Sequence, residues 1–376
     1  MDQLYFDHAA TTVVLEGARK AAIDAFEVYG NPSSVHSMGI AAKKIIDSAR
    51  KTVASSLFCK PEEIIFTGGG SESNNQAIHG MAKMRARRCK RVITTDSEHP
   101  SVGNPIDSLE ESGFEIVRIS TKGGRIDIEA LERELSLGAA FVSVMLVNNE
   151  TGAIYDIESV KRIIDKSGSG ALLHCDAVQG FLKTDMRVIS KYCDMASISA
   201  HKIGGMKGVG ALYCKQSIIK NLAPFIRGGG QEGNLRSGTE NVIGIAAFAE
   251  AVNEFPKYKE DIKRVSEYTR ELLEKSECNF KLNLPEKRVD HILSLSIVGA
   301  KSEVVLNLLN GYGICISAGS ACSARKGRSG TLEAFGLQRN EIDGTVRISF
   351  GVGNNEKDAE FLVEKLEEAA KRLVKR

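Results

Sequence analysis

Short apolar runs alternate with helical repeats through the first two thirds of the chain. Ile46, Ala49, Val53 and Leu57 recur at the spacing of one helix face, and an apolar run of strand length follows after Pro61. The runs of strand length are residues 64–66, 91–94, 115–119, 141–147, 171–174, 195–199 and 209–213. Helical stretches such as 157–166 separate most of them. This alternation predicts an α/β fold with a mainly parallel sheet covered on both faces. Ligands bind such sheets at the carboxyl ends of the strands.

After residue 240 the pattern changes. A long helical stretch covers 246–274, interrupted near Pro256, and residues 292–297 alternate like a half-buried strand. Residues 345–350 also alternate, which puts Arg347 and Ser349 on the face opposite the apolar side chains. The last helix shows one apolar face, made of Leu362, Leu366, Ala369 and Leu373. These elements predict a smaller α+β domain at the C-terminal end.

Composition narrows the class of protein. The 376 residues are enough for two domains. The 50 Lys+Arg against 48 Asp+Glu give a net charge of +2, which excludes an overall positive electrostatic field that would attract nucleic acid or an anionic membrane. The N-terminus lacks the features of a secretion signal and no apolar run is long enough to span a bilayer, so we expect a cytoplasmic protein. The eight cysteines are scattered singly without a C-x-x-C pair, which favours free thiols over disulfides, a zinc cluster or a cysteine-bound iron–sulfur site.

A glycine-rich turn at residues 67–74 is a candidate anion site. Gly68, Gly69 and Gly70 follow a predicted strand and open a helix, so backbone N–H groups at the helix N-terminus could bind a phosphate, with the Ser71 hydroxyl added. The turn lacks the Gly-Lys-Ser/Thr ending of a P-loop and the glycine spacing of a dinucleotide fingerprint. A tight strand-to-helix turn without any ligand explains this segment equally well.

Four polar side chains follow four different predicted strands. Lys202 lies in a glycine-rich loop beside a histidine and hydroxyl groups, which suits a Schiff base to an aldehyde cofactor. Asp176 could hold the proton on a pyridine nitrogen, His99 could stack on that ring and exchange protons, and Asn149 offers an amide. Any one of these residues alone is more often structural. Their shared position at strand ends favours one pyridoxal phosphate site.

At this point the chain resembles a known family. It is similar to the cysteine desulfurases of the NifS/IscS type, within the class V aminotransferase-like, fold-type I pyridoxal-phosphate enzymes. The resemblance rests on motifs spread over nearly the whole chain, at residues 5–12, 30–36, 67–74, 98–99, 147–152, 174–179, 199–202, 236–239 and 317–322. We accordingly place a large cofactor-binding domain at 15–250. The small domain is placed at 1–14 and 251–376, with the catalytic cysteine loop.

The resemblance implies a role for each matching residue. Lys202 would form the Schiff base and move the substrate's α-proton, Asp176 would pair with the ring nitrogen, and His99 would stack on the ring. Gln179 and Asn149 would form hydrogen bonds on the side of the ring that carries the hydroxyl group, and Asn149 would also lie near the substrate carboxylate. The phosphate ligands would be Gly70, Ser71, Ser199 and His201, together with Thr239 lent from a second subunit of a homodimer. Arg347 would clamp the α-carboxylate of the substrate, L-cysteine.

Cys322 ends the motif Ser-Ala-Gly-Ser-Ala-Cys and precedes a basic, glycine-containing stretch. A thiolate that attacks the substrate sulfur must move, so its cysteine belongs on a flexible loop, and nearby cations favour the thiolate form. An unreactive loop thiol is the alternative. The loop resembles the IscS/NifS group but is about one residue shorter than expected for it. Gly68-Gly69-Gly70 also replaces the more usual Ser-Gly-Ala.

The sequence therefore predicts a cysteine desulfurase that forms alanine and a persulfide on Cys322. The acceptor of that sulfur stays open between an iron–sulfur scaffold protein, a tRNA-thiolation enzyme and free thiols. One alternative is a class V aminotransferase acting on a small amino acid, with Cys322 incidental. Another is a degenerate homologue that acts only as an assembly partner or regulator, although Lys202, Asp176 and His99 are all present.

Overall fold

The computed structural model describes residues 3–318 and 329–374. Cys322 lies outside the described residues. The strands are β1 (Leu4–Tyr5), β2 (Ile64–Thr67), β3 (Arg91–Thr95), β4 (Glu115–Ile119), β5 (Phe141–Met145), β6 (Leu172–Asp176), β7 (Met195–Ser199), β8 (Gly210–Cys214), β9 (Phe280–Leu282), β10 (Ile292–Ile297), β11 (Ile314–Cys315) and β12 (Thr345–Ser349).

The helices come between these strands, as the repeats predicted. They are α1 (Glu16–Phe26), α2 (Ser37–Ser56), α3 (Gly70–Arg85), α4 (Pro100–Ser108), α5 (Ile128–Ser136), α6 (Ile157–Ser167), α7 (Arg187–Tyr192), α8 (Gln216–Ile219), α9 (Gln231–Asn234), α10 (Val242–Glu254), α11 (Lys259–Lys275), α12 (Ser302–Gly311), α13 (Gly330–Phe335), α14 (Arg339–Ile342) and α15 (Glu356–Leu373). Short 3₁₀ turns lie at Pro61–Glu63, Leu109–Ser112, Lys122–Gly124, Ala200–Lys202 and Phe255–Tyr258.

Seven strands form the central sheet, in the order β2-β8-β7-β6-β5-β3-β4. Strand β8 runs antiparallel to both of its neighbours, and every other adjacent pair is parallel. Consecutive residues of one strand enter different apolar clusters: Val92, Phe141 and Leu172 pack with α3 and α4, whereas Ile93, Val142 and Leu173 pack on the other side. Burial on both faces explains why these strands are continuous apolar runs. The predicted mainly parallel sheet is confirmed.

Helix α6 illustrates how local sequence sets the element boundaries. The Asp156 carboxylate accepts a hydrogen bond from the Ser159 N–H at the N-terminus, and Gly168 adopts a left-handed conformation (φ 66°) at the C-terminus. Between them, Val160, Ile163 and Ile164 form the buried face. The position of α6 between β5 and β6 follows from this apolar face, because a crossover helix must cover the sheet.

A second, antiparallel sheet has the order β12-β10-β9 and packs with α11, α12 and α15. The prediction that 292–297 is half-buried was wrong, since every residue of β10 is buried. Its polar face is covered because the hydroxyls of Ser294 and Ser296 accept hydrogen bonds from Asn283 Nδ2, at 3.2 and 2.9 Å. In α15, Leu362, Leu366 and Ala369 are buried as expected, and Leu373 is half-buried.

The N-terminal segment joins the C-terminal half of the chain. Strand β1 pairs in parallel with β11, and Asp7 forms an isolated bridge with Ser349. This pairing leads residues 9–12 across to the carboxyl edge of the central sheet. The predicted division at 15–250, with 1–14 and 251–376 as the smaller part, stays a prediction. Among the described residues, no helix has the length and apolar character needed to cross a bilayer.

Candidate active site

The carboxyl ends of the parallel strands meet around a cavity of about 260 Å³. The cavity is lined by ten of the predicted site residues, namely Gly70, Ser71, His99, Asn149, Asp176, Gln179, Ser199, His201, Lys202 and Arg347. Nine of them end or follow β2, β3, β5, β6 and β7, and Arg347 comes from the middle of β12, which explains how residues so far apart in sequence share one space. Thr239 is exposed and lies outside this lining. Cys322 is not among the described residues.

Lys202 is the last residue of the short 3₁₀ turn that follows β7, so its backbone is anchored to a buried strand. Its Nζ donates hydrogen bonds to the carbonyl oxygens of Ala9 and Ala10, at 2.6 and 2.7 Å. A second amine, Lys183, lies close by: burial, and after it the charge of Lys202, lowers the pKa of Lys183 to about 7. The site therefore holds a positioned amine in a region that disfavours additional positive charge.

Asp176, the last residue of β6, is held on both carboxylate oxygens. Asn74 Nδ2 donates to Oδ2 at 2.8 Å, and the backbone N–H of Val178 donates to Oδ1 at 3.0 Å. Asn74 is fully buried in α3. Two donors fix the direction of the carboxylate, so Asp176 can accept a further hydrogen bond from a cationic N–H in the cavity.

His99 is linked to Asp176 through two residues that the sequence analysis missed. Asn74 Nδ2 also donates to Ser101 Oγ (2.9 Å), and Ser101 contacts His99 Nδ1 through its hydroxyl (2.8 Å) and its N–H (3.1 Å). Because Nδ1 accepts the Ser101 N–H, the ring proton of the neutral imidazole is assigned to Nε2. Burial lowers the pKa of His99, and Lys202 lowers it further, whereas Asp176 raises it. The imidazole is therefore predominantly neutral near neutral pH.

Gln179 and Asn149 lie on the wall formed after β6 and β5. Gln179 Nε2 donates to the carbonyl of Ala9 (2.7 Å), while its buried Oε1 has no hydrogen-bond partner within the described part of the chain. A buried acceptor without a donor is costly, so a ligand hydroxyl at this position would be stabilising.

Arg347 is almost fully buried in the wall of the cavity. Its guanidinium donates to the Asn149 carbonyl oxygen (2.8 Å) and forms an ion pair with Asp7 (2.8 Å). Asp7 was quoted in a motif but given no role in the sequence analysis. A carboxylate that binds Arg347 must therefore share this guanidinium with Asp7.

The glycine-rich turn has the geometry of an anion site. Gly69 precedes α3 with φ 145°, and a Cβ on Gly70 would lie 2.6 Å from Val178 Cγ2, so the close approach at that position requires glycine. The first N–H groups of α3 have no intrahelical acceptor. Ser199 and His201 line the same end of the cavity. Burial, and after it the charge of Lys202, lowers the pKa of His201 to about 4, so this imidazole is neutral and can donate to a phosphate.

Glu98 lies beneath the site and belongs to a quoted motif, but no role was predicted for it. Its Oε1 accepts hydrogen bonds from Thr95 Oγ1 (2.7 Å) and the Met145 N–H (2.9 Å). Burial raises the pKa of Glu98 to about 8, so the carboxyl is mostly protonated at neutral pH. Glu98 therefore contributes little negative charge to this part of the site.

Comparison with known proteins agrees with this geometry. The aminotransferase class-V family matches residues 4–362. Putative cysteine desulfurase IscS 1 of Bacillus subtilis is 34% identical across 99% of this chain and 100% of its own length. Cysteine desulfurase IscS 1 of Archaeoglobus fulgidus is 36% identical across 98% of this chain and 97% of its own.

Solved structures give the same result. A NifS-like protein superposes with a TM-score of 0.90 at 34% identity, covering 99% of this chain and 100% of that one. A structure described as SspA in complex with cysteine has a TM-score of 0.82 at 33% identity, covering 92% and 98% of the two chains. The chain therefore belongs to the aminotransferase class-V family, and within it to the IscS/NifS-like cysteine desulfurases. The predicted family, fold class and enzyme class are confirmed.

The protonated state of Glu98 predicts a pH-dependent stability. Between its unfolded pKa of 4.5 and its folded pKa of about 8, the folded carboxyl keeps a proton that the unfolded one has lost. Raising the pH in this window therefore destabilises the fold, by about 1 kcal/mol per pH unit. Glu98→Gln keeps an oxygen acceptor and does not titrate, so its advantage over the wild type in urea unfolding should grow from pH ~5 to ~8. A stability difference that does not change with pH would contradict the assignment.

Asn74→Ala should destabilise the protein by about 2 kcal/mol, because it removes a buried donor shared by Asp176 and Ser101. The neighbouring Asn75, whose Nδ2 donates to the Ser71 carbonyl at the surface, is the matched control. Both substitutions place alanine in the same helix, so differences in helix propensity cancel. Equal unfolding free energies for the two variants would refute the bridging role of Asn74.

Proposed function

We propose that the chain is a pyridoxal-phosphate-dependent cysteine desulfurase that converts L-cysteine to L-alanine and transfers the sulfur to Cys322. The observation that carries the proposal is the shared cavity of Lys202, Asp176, His99 and the glycine-rich turn. The names of the relatives support the activity, and the SspA structure in complex with cysteine supports the substrate.

The described residues fit the cofactor. The phosphate would bind the N–H groups of α3 and the side chains of Ser71, Ser199 and His201. Asp176 would hold the protonated ring nitrogen, His99 would stack on the ring, and Gln179 Oε1 would gain the hydroxyl donor that it lacks. When bound, pyridoxal phosphate supplies an electron sink for negative charge that develops on the substrate's carbon atoms.

Lys202 would attach the cofactor and then, once displaced by the substrate amine, move the α-proton. The Ala9 and Ala10 carbonyls keep its Nζ in place for this second task. Arg347 would bind the substrate carboxylate in a bidentate manner, with Asn149 beside it. These contacts would fix the α-carbon between the amine and the ring position.

The sulfur step transfers one atom. The Cys322 thiolate attacks the substrate sulfur and an S–S bond forms. The carbon–sulfur bond breaks with its electron pair left on the carbon, and a proton added there completes the methyl group of alanine. The described residues on either side of 319–328 support this assignment. Ser317 pairs with the Arg347 backbone (N–O distances 2.6 and 3.2 Å), and Ser329 Oγ donates to buried Glu150, next to Asn149, at 2.6 Å. The residues that flank the segment containing Cys322 thus contact Arg347, which lines the cavity, and Glu150, the chain neighbour of the lining residue Asn149.

We further propose a homodimer in which Thr239 completes the phosphate site of the second copy. Thr239 is exposed and is not part of its own chain's cavity lining. Large apolar side chains near the N-terminus are also exposed, including Phe26 (62%), Tyr29 (83%) and Val35 (92%). An interface between copies would bury such side chains. The sulfur acceptor is proposed to be an iron–sulfur scaffold or a tRNA-thiolation enzyme in the cytoplasm.

Cys322→Ala should abolish formation of alanine and sulfide from cysteine and a reductant, while cofactor binding is retained. The half-buried Cys315, in β11, provides the control, because Cys315→Ala should keep the activity. Turnover that survives in Cys322→Ala would disprove the sulfur relay. If alanine formation required an added keto-acid, the chain would instead be an aminotransferase.

Lys202→Ala should remove the visible absorption band of a lysine-linked pyridoxal group from the purified protein. Lys207→Ala, in the same glycine-rich loop, should keep that band. The result would go against the assignment of Lys202 if the band persisted in Lys202→Ala. A wild-type protein that is colourless even after addition of the cofactor would favour a non-catalytic homologue.

A further inference from the structure

The segment that leads to Thr239, residues 231–239, is fastened to the same strand–turn–helix unit that forms the phosphate site. Arg236 donates from Nε to Glu72 Oε1 (2.8 Å) and from Nη2 to Oε2 (3.3 Å). Glu72 Oε2 also accepts the N–H of Gly68, at 2.8 Å, within the glycine-rich turn. One carboxylate therefore joins the anion-binding turn to a residue three positions before Thr239.

Two more contacts connect the segment to this unit. Gln76, one helical turn after Glu72, donates from Nε2 to the Leu235 carbonyl (2.9 Å). The Glu232 carboxylate, whose side chain is 2% exposed, accepts hydrogen bonds from the Phe66 N–H (2.9 Å) and from Arg50 (2.7 and 2.8 Å). On the strand–turn–helix unit, the residues that make these three contacts are Phe66 in β2 and Glu72 and Gln76 in the first two turns of α3.

The backbone of the segment is strained where these contacts hold it. Glu232, Gly233 and Asn234 are consecutive left-handed residues, with φ 47°, 64° and 69°. Each non-glycine residue in this conformation costs about 1–2 kcal/mol, so the surrounding contacts must over-determine it. Thr239 is the third residue after Arg236, which limits the displacement of Thr239 to about 10 Å from this anchor.

We propose that Glu72 and Arg236 are a positioning pair that acts across the dimer, setting where Thr239 reaches into the phosphate site of the second copy. This inference rests on the proposed homodimer with shared sites. Neither residue belongs to the lining of the central cavity that contains Lys202. Their effect on the second copy passes through the short link from Arg236 to Thr239.

The test begins with Arg236→Ala and Glu72→Gln in the full-length dimer. Glu72→Gln keeps an oxygen acceptor for the Gly68 N–H but loses the ion pair. Both variants should bind pyridoxal phosphate about tenfold more weakly, measured by titration of the visible band. Arg162→Ala, which breaks an exposed ion pair with Glu158 on α6, should bind the cofactor like the wild type. Unchanged affinity in both Arg236→Ala and Glu72→Gln would overturn the proposal.

Mixed dimers then separate action across the dimer from action within one chain. In a heterodimer of one Arg236→Ala chain and one Lys202→Ala chain, only the Arg236→Ala chain keeps Lys202 in its site. That site receives Thr239 from the Lys202→Ala chain, in which Arg236 is intact. We expect this site to regain wild-type cofactor affinity, read from the visible band, and to form alanine. Recovery would support the proposal, whereas affinity that stays as low as in the Arg236→Ala homodimer would show that the pair acts on its own chain's turn.

A reference heterodimer distinguishes failure of the proposed positioning role from failure of the proposed homodimer with shared sites. Thr239→Ala paired with Lys202→Ala should regain cofactor affinity in the same way if Thr239 is lent between copies. If that pair recovers but the Arg236→Ala pair does not, the positioning role is wrong and the shared site stands. If neither pair recovers, the shared site itself is wrong and the inference falls with it. Should Arg236→Ala be monomeric, Glu72→Gln takes its place in each mixture.

Discussion

The site depends on a carboxylate whose direction is fixed from two sides. Asp176 ends a fully buried strand, and Asn74 and the Val178 N–H hold its two oxygens. Since β5, β6 and β7 are parallel, their carboxyl ends deliver Asn149, Asp176 and the Lys202 turn to one edge of the sheet. A cofactor ring placed there meets an acid on one side and an amine on the other, which is the requirement of the proposed chemistry.

Several of the buried titratable groups around the cavity carry no charge near neutral pH. Burial keeps Glu98 mostly protonated and keeps the imidazoles of His99 and His201 mostly neutral near neutral pH. The lysine and the arginine of the described cavity lining are Lys202 and Arg347. Lys202 is bound by two carbonyls, and Arg347 is paired with Asp7. In the proposed function, a substrate carboxylate and a cofactor phosphate would enter a region with fixed donors at both ends.

Much of the fold could be predicted from sequence because buried parallel strands are apolar on both faces and end in polar residues. The prediction failed at β10, where serine hydroxyls look like a solvent face in sequence but are paired with Asn283 inside the structure. Asn74 and Ser101 were missed since their role depends on the distance between α3 and the first turn of α4, which no local pattern encodes. The role predicted for Thr239 came from the resemblance alone. For Cys322 the basic, glycine-containing loop is compatible with a reactive thiolate, but the resemblance was needed to prefer that role over an unreactive thiol.

Mass spectrometry of the proteolytic peptides, after brief exposure of the protein to cysteine, tests the central claim most directly. The account predicts one added sulfur atom on the peptide that contains Cys322, removable by a reductant, and none on the buried Cys175, Cys193 or Cys214. An unmodified Cys322 in protein that has formed alanine, or the added sulfur on a different cysteine, would contradict it.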